Sequence, residues 1–525
     1  MSGLVDHLRA HGERVAVLTE TGQLTYRALA DRVAAAAGEF GRCRRLVMLE
    51  TRNDTTTLVD YLGALAGNHV VLPVPAGRDN SAMLATYRPD VIVDAGGVHT
   101  RHSSSGHRLH DDLALLLSTS GSTGSPKLVR LSCSNLIANA SAIAEYLDIR
   151  QTDRAATTLP MSYCYGLSVI HSHLLCGAGI ILTDRSVVED EFWDLIRRHG
   201  CTTFAGVPYT FELLDRIGFD AINLPALRYI TQAGGRLPPE HVRRFAALGA
   251  RKGWRLFVMY GATEATARIA YLPPELAYSR PASIGRPIPG GSLTIEPLDG
   301  WPSEAGELVY RGPNVMMGYA HKPADLALGK TVDTLRTGDI ARRGPDGLYE
   351  VIGRSSRFVK LFGLRIDLQR LETSLREQGV AAFCTEADDR LVVAATNKHD
   401  EHAVQHAAAS ASGLSAASVR AVTVAELPLL SSGKPDYQTV RELARGKTAT
   451  ARNGSDLRGL FAEVLQIDAA TIDPGASFVD LGGNSLSYVT MSVRLERALG
   501  RRVDRGRGGR RHWRPAWRCA PRRSC

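Results

Sequence analysis

A loop of small hydroxyl and glycine residues follows an apolar stretch early in the chain, in the segment LLLSTSGSTGSPKLVRLS. Backbone N–H groups and hydroxyls in such a loop can surround phosphate oxygens, and the Lys127 ammonium adds a positive charge. A kinase-type P-loop is excluded because that motif places Ser or Thr directly after Gly-Lys, whereas Pro126 precedes the lysine here. The predicted phosphate-binding residues are Ser118, Thr119, Ser120, Gly121, Ser122, Thr123, Gly124 and Lys127.

Four further motifs with polar chemistry follow at intervals. The segment Tyr260-Gly261-Ala262-Thr263-Glu264 comes after the apolar run WRLFVM and places an aromatic ring beside an acid at a strand end. The Asp339 carboxylate in RTGD can accept both hydroxyls of a ribose, and the Arg354 guanidinium suits ribose or phosphate oxygens. Lys434 lies in the turn-forming stretch LPLLSSGKPDY. Each motif alone also fits a strand-end turn or a solvated loop. The evidence for a functional site therefore comes from the order in which the motifs occur along the chain.

In this order the motifs resemble those of the AMP-forming superfamily that unites acyl-CoA synthetases, peptide-synthetase adenylation domains and firefly luciferases, over residues 14–440. The resemblance implies an ATP-dependent, AMP-forming acid–thiol ligase that requires Mg²⁺ and activates a small carboxylic acid as acyl-AMP. It also implies roles for individual residues. Tyr260 is expected to stack on adenine, Thr263 to contact phosphate and Glu264 to bind Mg²⁺. Asp339 and Arg354 are expected to bind ribose or phosphate, and a cofactor-binding role is implied for Gly234, Gly235 and Gly261.

The same resemblance makes Lys434 the catalytic lysine. Attack of a carboxylate on the α-phosphate puts negative charge on phosphorus and on the leaving pyrophosphate, and an ammonium aimed there stabilises the transition state. Lys434 lies on a predicted small domain, which must move it in for adenylation and out for thiol attack. Ser356 stands where family members usually carry an aspartate or lysine hinge, and Gly363 in LFGLRI resembles the loop that lines the thiol tunnel.

The residues after Met161 bear on the choice of acid. Amino-acid-activating relatives carry an aspartate that pairs with the substrate ammonium, and alignment on Leu174–Ala178 brings Cys164 to that position. Without an acid between Met161 and Ile180, a buried ammonium would lack its counter-charge. The resemblance therefore favours an acyl, aryl or hydroxy acid over an amino acid.

Apolar and aromatic residues around these motifs are predicted to surround the acyl group, although the same pattern is typical of a core. They are Tyr163, Tyr165, His171, Val207, Pro208, Ala233, Gly234 and Gly235. His171 and His173 are interpreted as packing or surface residues rather than bases, because the substrate carboxylate is already ionised near neutral pH.

A second family resemblance lies near the C-terminus. Ser485 follows a turn with two glycines in DLGGNSL and starts an amphipathic helical pattern, where a serine is ordinarily only a cap. The segment resembles the phosphopantetheine attachment site of carrier proteins, which implies 4'-phosphopantetheine on Ser485 and a phosphopantetheinyl transferase as partner. The Arg-, Gly- and Trp-rich residues 501–525 lack the two further helices of a carrier, so a frameshift near Val503 is favoured over a tail that binds an acidic partner.

The elements that must position these residues follow from the hydrophobic pattern. Between Arg44 and about Glu264, β-rich runs such as RRLVMLE and GIILTD alternate with helical patterns such as TLVDYLGALAG and EFWDLIRRHG, the rhythm of parallel-sheet units. Gly67 and Gly200 sit where helix ends are expected. After Pro281, shorter strands in SLTIEP, GELVYRGP and DGLYEVIG precede the helical pattern LQRLETSLREQG.

The sequence thus predicts an α/β fold with stacked mixed sheets and helices, a small α+β domain and a partial all-α carrier domain. The predicted divisions are 1–352 for the large adenylation domain, 353–445 for the small domain, 446–454 for a linker, 455–500 for the partial carrier domain and 501–525 for an aberrant or disordered tail.

Composition narrows the remaining classes. The chain has 525 residues, 44% of them hydrophobic, and its eight scattered cysteines form no CxxC pair. The N-terminus lacks an apolar signal segment, and no run of about 18 apolar residues occurs, so a cytoplasmic enzyme that does not bind a membrane is expected. The formal net charge of +9 comes entirely from residues 501–525, which hold ten arginines and one aspartate.

Several functions remain open at this point. The leading hypothesis is an adenylating enzyme that charges phosphopantetheine on its own carrier or a partner carrier protein, and its rival is an acyl-CoA ligase that uses free CoA. A noncatalytic nucleic-acid binder that works through the Arg/Trp tail is a different class, disfavoured by the neutral first 500 residues. An inactive scaffold is disfavoured because all the phosphate and lysine motifs are present.

Overall fold

The computed structural model describes residues 7–78, 80–101, 105–118, 127–298, 301–302, 304–354, 358–361, 364–388, 390–396, 398, 400–412, 414, 416–430, 435–444, 462 and 472. The helices are α1 (Tyr26–Glu39), α2 (Thr55–Ala66), α3 (Ser81–Tyr87), α4 (Cys133–Leu147), α5 (Cys164–Leu175), α6 (Asp190–Arg198), α7 (Pro208–Arg216), α8 (Pro239–Lys252), α9 (Leu368–Glu377), α10 (Glu401–Ser412) and α11 (Tyr437–Ala444).

The strands form sheets of nine, seven, four, three and two strands within the described residues. They are β1 (Val15–Leu18), β2 (Gln23–Thr25), β3 (Leu46–Thr51), β4 (Val70–Pro75), β5 (Val91–Asp94), β6 (Gly97–Thr100), β7 (Leu113–Ser118), β8 (Leu128–Ser132), β9 (Arg154–Ala156), β10 (Gly179–Ile181), β11 (Thr203–Gly206), β12 (Tyr229–Gln232), β13 (Arg255–Tyr260), β14 (Ala270–Leu272), β15 (Arg286–Pro287), β16 (Ser292–Pro297), β17 (Ala305–Arg311), β18 (Gly318–Ala320), β19 (Leu335–Arg343), β20 (Tyr349–Arg354), β21 (Phe358–Leu361), β22 (Leu364–Asp367), β23 (Ala382–Ala387), β24 (Arg390–Thr396) and β25 (Val419–Val424).

Two large mixed sheets carry the predicted site residues. The nine-stranded sheet has the order β15-β14-β13-β12-β11-β9-β10-β1-β2, and its central strands from β13 to β1 run parallel. The seven-stranded sheet has the order β18-β8-β7-β4-β3-β5-β6, with parallel pairs from β7 to β5 and antiparallel strands at both sides. The predicted stacked mixed sheets with helices are confirmed.

The main buried core joins these two sheets. Val17 and Ile180 of the nine-stranded sheet and Val71 and Leu115 of the seven-stranded sheet belong to one cluster of buried apolar residues, together with side chains of α1, α2 and α5. Burial of these side chains on both sheets removes a large apolar area from water and so fixes the sheets against each other.

Local sequence sets the starts of the helices that flank the site. The start of α4 is a capping box, in which Ser132 Oγ accepts from the Asn135 backbone N–H at 3.1 Å and Asn135 Oδ1 accepts from the Ser132 N–H at 3.0 Å. The start of α7 is Pro208, whose fixed φ and missing N–H suit the first helical position. After α6, Gly200 has φ of +58°, the left-handed conformation expected just past a helix end.

The antiparallel sheet β16-β17-β19-β20 follows the two large sheets. The strands predicted in SLTIEP, GELVYRGP and DGLYEVIG are confirmed as β16, β17 and β20. The predicted domain division at 353 falls inside β20, and residues from Val359 to Val419 form a separate buried cluster. The division itself stays a prediction, as do those of the linker, the carrier domain and the tail, which lie almost wholly outside the described residues.

Among the described helices, none combines the length and apolarity needed to cross a membrane.

Candidate active site

Three polar side chains from separate strands meet at the end of β13. Tyr260 Oη donates a hydrogen bond to Asp339 Oδ2, and Arg354 Nε lies 3.1 Å from Asp339 Oδ1. Asp339 and Arg354 face each other in the register of β19 and β20, which fixes their proximity. Burial raises the pKa of Asp339 above its ordinary value, against the opposing effects of Arg354 and the Tyr260 phenol. Each carboxylate oxygen keeps a further lone pair, so the group can still accept hydroxyl donors.

A second group of side chains surrounds Glu264, in the short 3₁₀ turn after β13. Glu264 Oε1 accepts from Tyr319 Oη at 2.8 Å, and Lys127 Nζ lies 3.4 Å from the centroid of the Tyr319 ring. The face of the Tyr319 ring thus attracts the ammonium, while the hydroxyl of the same side chain bonds the Glu264 carboxylate. The negative charge of Glu264 contributes to the raised pKa of Asp339, so the two groups lie near each other.

Arg130, which is fully buried, positions Tyr319. Its guanidinium donates to the backbone oxygens of Tyr319 at 3.1 Å, Met317 at 3.2 Å and Gly329 at 3.2 Å, and also to that of Leu328. These bonds attach β18 to β8, the strand that begins directly after Lys127. The Tyr319 ring under the Lys127 ammonium is therefore held in place by Arg130, a residue that was not among the predicted site residues.

Gly261 and Thr263 lie where the backbone after β13 is crowded. A Cβ atom on Gly261 would lie 1.8 Å from the backbone oxygen of Ala267, so only glycine fits this position without movement of the backbone. Thr263 Oγ1 donates to Cys164 Sγ at 3.4 Å. The cysteine that aligns with the aspartate of amino-acid-activating relatives therefore lies against a predicted phosphate-contacting residue.

Most residues predicted to surround the acyl group lie together. Tyr165, Val207 and Ala233 belong to one buried apolar cluster with Tyr163 packed against it, and the rings of Tyr163 and Tyr165 are 6.2 Å apart at 66°. Tyr165 Oη and Thr231 Oγ1 are 2.9 Å apart. The cluster follows the carboxyl ends of β11 and β12, the edge at which parallel sheets of this kind bind ligands.

The two glycines after Ala233 pack against the same cluster. Gly234 has φ of +82°, and a Cβ atom there would lie 2.6 Å from Tyr163 Oη, so both the backbone conformation and the space require glycine. A Cβ atom on Gly235 would lie 3.1 Å from Pro208 Cγ. Gly234, Gly235 and Pro208 thus lie beside this cluster, whereas their contacts with an acyl group or with nucleotide stay predictions.

His171 is not brought to this cluster. Its Nε2 lies 2.9 Å from Tyr61 Oη, and the two rings stack at 5.7 Å in the core on the other side of α5. Its placement in the acyl pocket is therefore wrong, because the helix turns its side chain away from Tyr165. The packing interpretation fits both histidines, since His171 and His173 are buried and burial lowers the pKa of each to about 4.

Some predicted site residues lie outside the described residues, namely residues 119–124 of the phosphate loop, Ser356, Gly363, Lys434 and Ser485. The loop is bracketed by Ser118, which ends β7 and is exposed, and by Lys127. Sequence reasoning missed Tyr319, because one tyrosine in a three-residue strand carries no distinctive pattern. It also missed Arg268. The sequence feature that could have indicated this residue is a single charged side chain among the small and apolar residues of TARIA.

The ribose role that the family resemblance implies for Asp339 predicts that the Asp339→Asn variant binds ATP less tightly. The amide keeps one acceptor oxygen but loses the charge and one of the acceptors that two ribose hydroxyls require, and hydrogen bonds to charged groups contribute about 1.5–3 kcal/mol. We expect KM for ATP to rise by about 10- to 100-fold with a smaller change in kcat. Steady-state pyrophosphate exchange measures both constants. Asp333→Asn, which changes an exposed aspartate paired with Lys330, is the matched control, and equal KM values for the two variants would contradict the ribose role.

The mixed sheets and the polar side chains at the end of β13 define an α/β protein with a candidate active site, and comparisons with known proteins show what it resembles. Residues 85–320 match the family model "AMP-binding enzyme", and residues 455–506 match "Phosphopantetheine attachment site". The second match extends beyond the predicted end of the carrier domain at residue 500. This chain therefore contains one segment similar to AMP-binding enzymes and a second segment similar to phosphopantetheine attachment sites.

Individual curated relatives are consistent with these two matches. A sulfoacetate–CoA ligase of Cupriavidus necator is 34% identical over 278 residues, which are 51% of this chain and 53% of the relative. The non-ribosomal peptide synthetase CmlP of Streptomyces venezuelae is 27% identical over 550 residues, covering 95% of this chain and 56% of the relative. The chain thus spans about half the length of these curated relatives.

A solved structure shows the same fold. The O-succinylbenzoate coenzyme A synthetase MenE of Bacillus subtilis, in complex with ATP and magnesium ion, superposes with a TM-score of 0.69 at 21% identity. The superposition covers 84% of this chain and 99% of MenE. The predicted fold class is confirmed by this likeness.

Proposed function

We propose that this chain activates a small carboxylic acid by joining it to AMP from ATP, and passes the acyl group to a phosphopantetheine thiol. The observation that carries the proposal is the arrangement of Lys127, Glu264, Asp339 and Arg354, from three distant segments of the chain, around Tyr260 and Tyr319. An ammonium, a carboxylate and a ribose-type acceptor beside an aromatic ring suit a nucleoside triphosphate with its metal ion. The matches to AMP-binding enzymes and to a phosphopantetheine attachment site support it.

The residues at the site fit ATP and Mg²⁺. Glu264 offers carboxylate oxygen, the ligand type that Mg²⁺ prefers, and Mg²⁺ commonly binds through one or two carboxylates together with substrate phosphates. Within the described ranges, no group of three or more His, Cys, Asp or Glu side chains is arranged as a metal site. In this proposal Glu264 holds the ion with the phosphates, Lys127 and the loop from Ser118 bind phosphate, Tyr260 stacks on adenine, and Lys434 stabilises the transition state.

The proposed substrate is an acyl, aryl or hydroxy acid that lies among Tyr163, Tyr165, Val207 and Ala233. Cys164, at the position of the ammonium-binding aspartate, has a thiol in place of a carboxylate and contacts Thr263. A buried substrate ammonium would therefore have no counter-charge at this position.

A pyrophosphate-exchange screen over fatty, aryl, hydroxy and amino acids tests the proposal. We expect exchange that depends on acid and Mg²⁺ with at least one of the first three classes, and none above background with α-amino acids, because their ammonium meets Cys164 rather than a carboxylate. Absence of exchange with every acid would reject the adenylation activity. An α-amino acid as the best substrate would reject the substrate assignment alone.

The acceptor and the partners complete the proposal. We propose that 4'-phosphopantetheine is attached to Ser485 by a phosphopantetheinyl transferase and that the acyl group passes to this carrier or to a partner carrier protein. The peptide synthetase CmlP spans 95% of this chain, including the carrier segment, which supports a carrier as acceptor. A cytoplasmic location is part of the proposal, because ATP and free thiols coexist there.

Transfer to free CoA is the second candidate, because the relative with the higher identity is named as a CoA ligase. Nucleic-acid binding by the Arg/Trp tail remains the alternative from a different class. It predicts salt-sensitive binding of nucleic acid that is lost when residues 501–525 are removed.

A further inference from the structure

Arg268 is a buried cation without an ion-pair partner among the described residues. Its side chain is 2% exposed, its Nε has no hydrogen-bond partner, and within the described part of the chain it takes part in no ion pair. A guanidinium stays protonated in proteins, so burial cannot be relieved by loss of a proton. A buried charge of this kind is costly unless an anion meets it.

The neighbours of Arg268 are aromatic and neutral. Its guanidinium carbon lies 3.9 Å from the centroid of the Tyr165 ring, and the Tyr146 phenol is a second contact. Burial raises the pKa of Tyr165 to about 12 and raises that of Tyr146, so both phenols are protonated at neutral pH. Asp153 is a buried carboxylate that acts electrostatically on His173 and Tyr229; its Oδ2 pairs with Arg228, whereas its Oδ1 has no hydrogen-bond partner, and within the described residues it forms no ion pair with Arg268. Aromatic faces compensate only part of the charge of a buried cation.

Arg268 also borders a narrow cavity with room for about one water molecule. The polar lining includes Thr231 and His173, whose Nδ1 donates to the Val169 backbone oxygen at 2.8 Å and whose Nε2 has no partner. Three residues that line this cavity, Arg268, His173 and Tyr229, thus each carry a buried polar atom without a hydrogen-bond partner, namely Nε, Nε2 and Oη. Buried polar atoms are rarely left without partners.

The cavity lies next to the proposed acyl pocket, on the side toward the preceding residues of β11 and β12. Ala205 and Thr231 line it, and each is two residues before a pocket residue, Val207 on β11 and Ala233 after β12. Tyr165 contacts both regions, since its hydroxyl is bonded to Thr231 and its ring lies under Arg268. An acyl chain that enters along Val207 and Ala233 would thus end at the guanidinium.

We propose that the acid activated by this enzyme carries a second anionic group, a carboxylate or sulfonate at the end remote from the reacting carboxylate, and that Arg268 binds it. This inference rests on the proposed function and names its substrate class. The anionic group displaces water from the cavity and requires a small movement of the surrounding side chains. The small cavity also favours a short dianionic acid over a long one.

Matched pairs of acids test the inference in pyrophosphate exchange with the full chain. The pairs are succinate with butanoate, glutarate with pentanoate, and phthalate with 2-methylbenzoate. We expect the wild-type protein to favour a dianion over its partner by at least about 100-fold in kcat/KM, because loss of one member of a buried charge pair is heavily penalised. Arg268→Met should lose this preference and keep its activity with the monoanion. A purely structural role of Arg268 would lower both activities together.

Control variants separate charge from position. Arg286→Met removes an exposed arginine that stacks on Tyr271, the ring stacked on Tyr146, and should keep the preference. The Met variant should fold, since an apolar residue of similar length replaces a buried charge. Melting temperatures check this, and Arg268→Gln serves instead if the Met variant does not fold.

The outcomes distinguish the inference from the proposed function. Exchange in which every monoanion equals or exceeds its dianion would overturn the inference and leave adenylation standing. Absence of exchange with every acid would reject adenylation, and titration calorimetry with glutarate would then decide the inference. Saturable glutarate binding to the wild type but not to Arg268→Met would support it, and equal behaviour of the two proteins would overturn it.

Discussion

Lys434→Ala should lower the rate of acid-dependent pyrophosphate exchange by about 100- to 1000-fold, the loss seen when a single group that stabilises transition-state charge is removed. The lysine is proposed to act on the α-phosphate and the leaving pyrophosphate, so the loss should appear in kcat. Since the lysine is proposed to leave the site before thiol attack, transfer from acyl-AMP supplied directly to the protein should stay within about 3-fold of wild type.

Lys398→Ala is the matched control, because Lys398 is an exposed lysine on the same proposed small domain. It should leave both half-reactions unchanged. Undiminished exchange by Lys434→Ala would reject the assigned mechanism. An equal loss in both half-reactions would instead indicate a structural role for Lys434.

Ser485→Ala should abolish loading of the carrier segment. Phosphopantetheine attaches through the serine hydroxyl, which alanine lacks, so intact mass after treatment with CoA and a phosphopantetheinyl transferase should show no added group. The wild-type protein should gain phosphopantetheine and then the acyl group when ATP and the acid are added. Pyrophosphate exchange should be equal in both proteins, because adenylation precedes transfer.

Ser487→Ala tests whether the loss is specific, since it removes a hydroxyl two residues away and should be loaded as wild type is. Acyl-CoA formation from free CoA by Ser485→Ala at the wild-type rate, without acylation of any carrier, would show that free CoA is the acceptor. Loading of Ser485→Ala by the transferase would show that another residue is modified.

Sequence patterns predict much of the fold because they are local. The period of RRLVMLE and TLVDYLGALAG predicts β3 and α2, and the acidic start and left-handed glycine of EFWDLIRRHG predict α6 and its end. The order of the motifs, rather than any single motif, predicts that Tyr260, Asp339 and Arg354 belong to one site. Their direct contacts follow from the register of β19 and β20, which sequence alone does not fix.

Other parts of the site depend on contacts between distant segments. His171 and Tyr165 lie on one helix and share an aromatic, buried character, so only the packing of α5 tells which side faces the acyl cluster. Arg268 and Tyr319 escape prediction for the same reason, since their meaning comes from Tyr165 and Lys127, far away in the chain. Local periodicity carries no information on such pairs.

The bonds from Arg130 to the Tyr319 and Met317 backbones span 189 and 187 residues of chain. During synthesis at the ribosome, β8 is therefore complete long before the strand that attaches to it has been made. Until then the guanidinium has no carbonyls to bind and the Lys127 ammonium has no ring beneath it. In the proposed site, nucleotide binding by a nascent chain thus waits beyond the residues near 320 until Arg354 has been made, and closure of this long loop costs entropy before its contacts form.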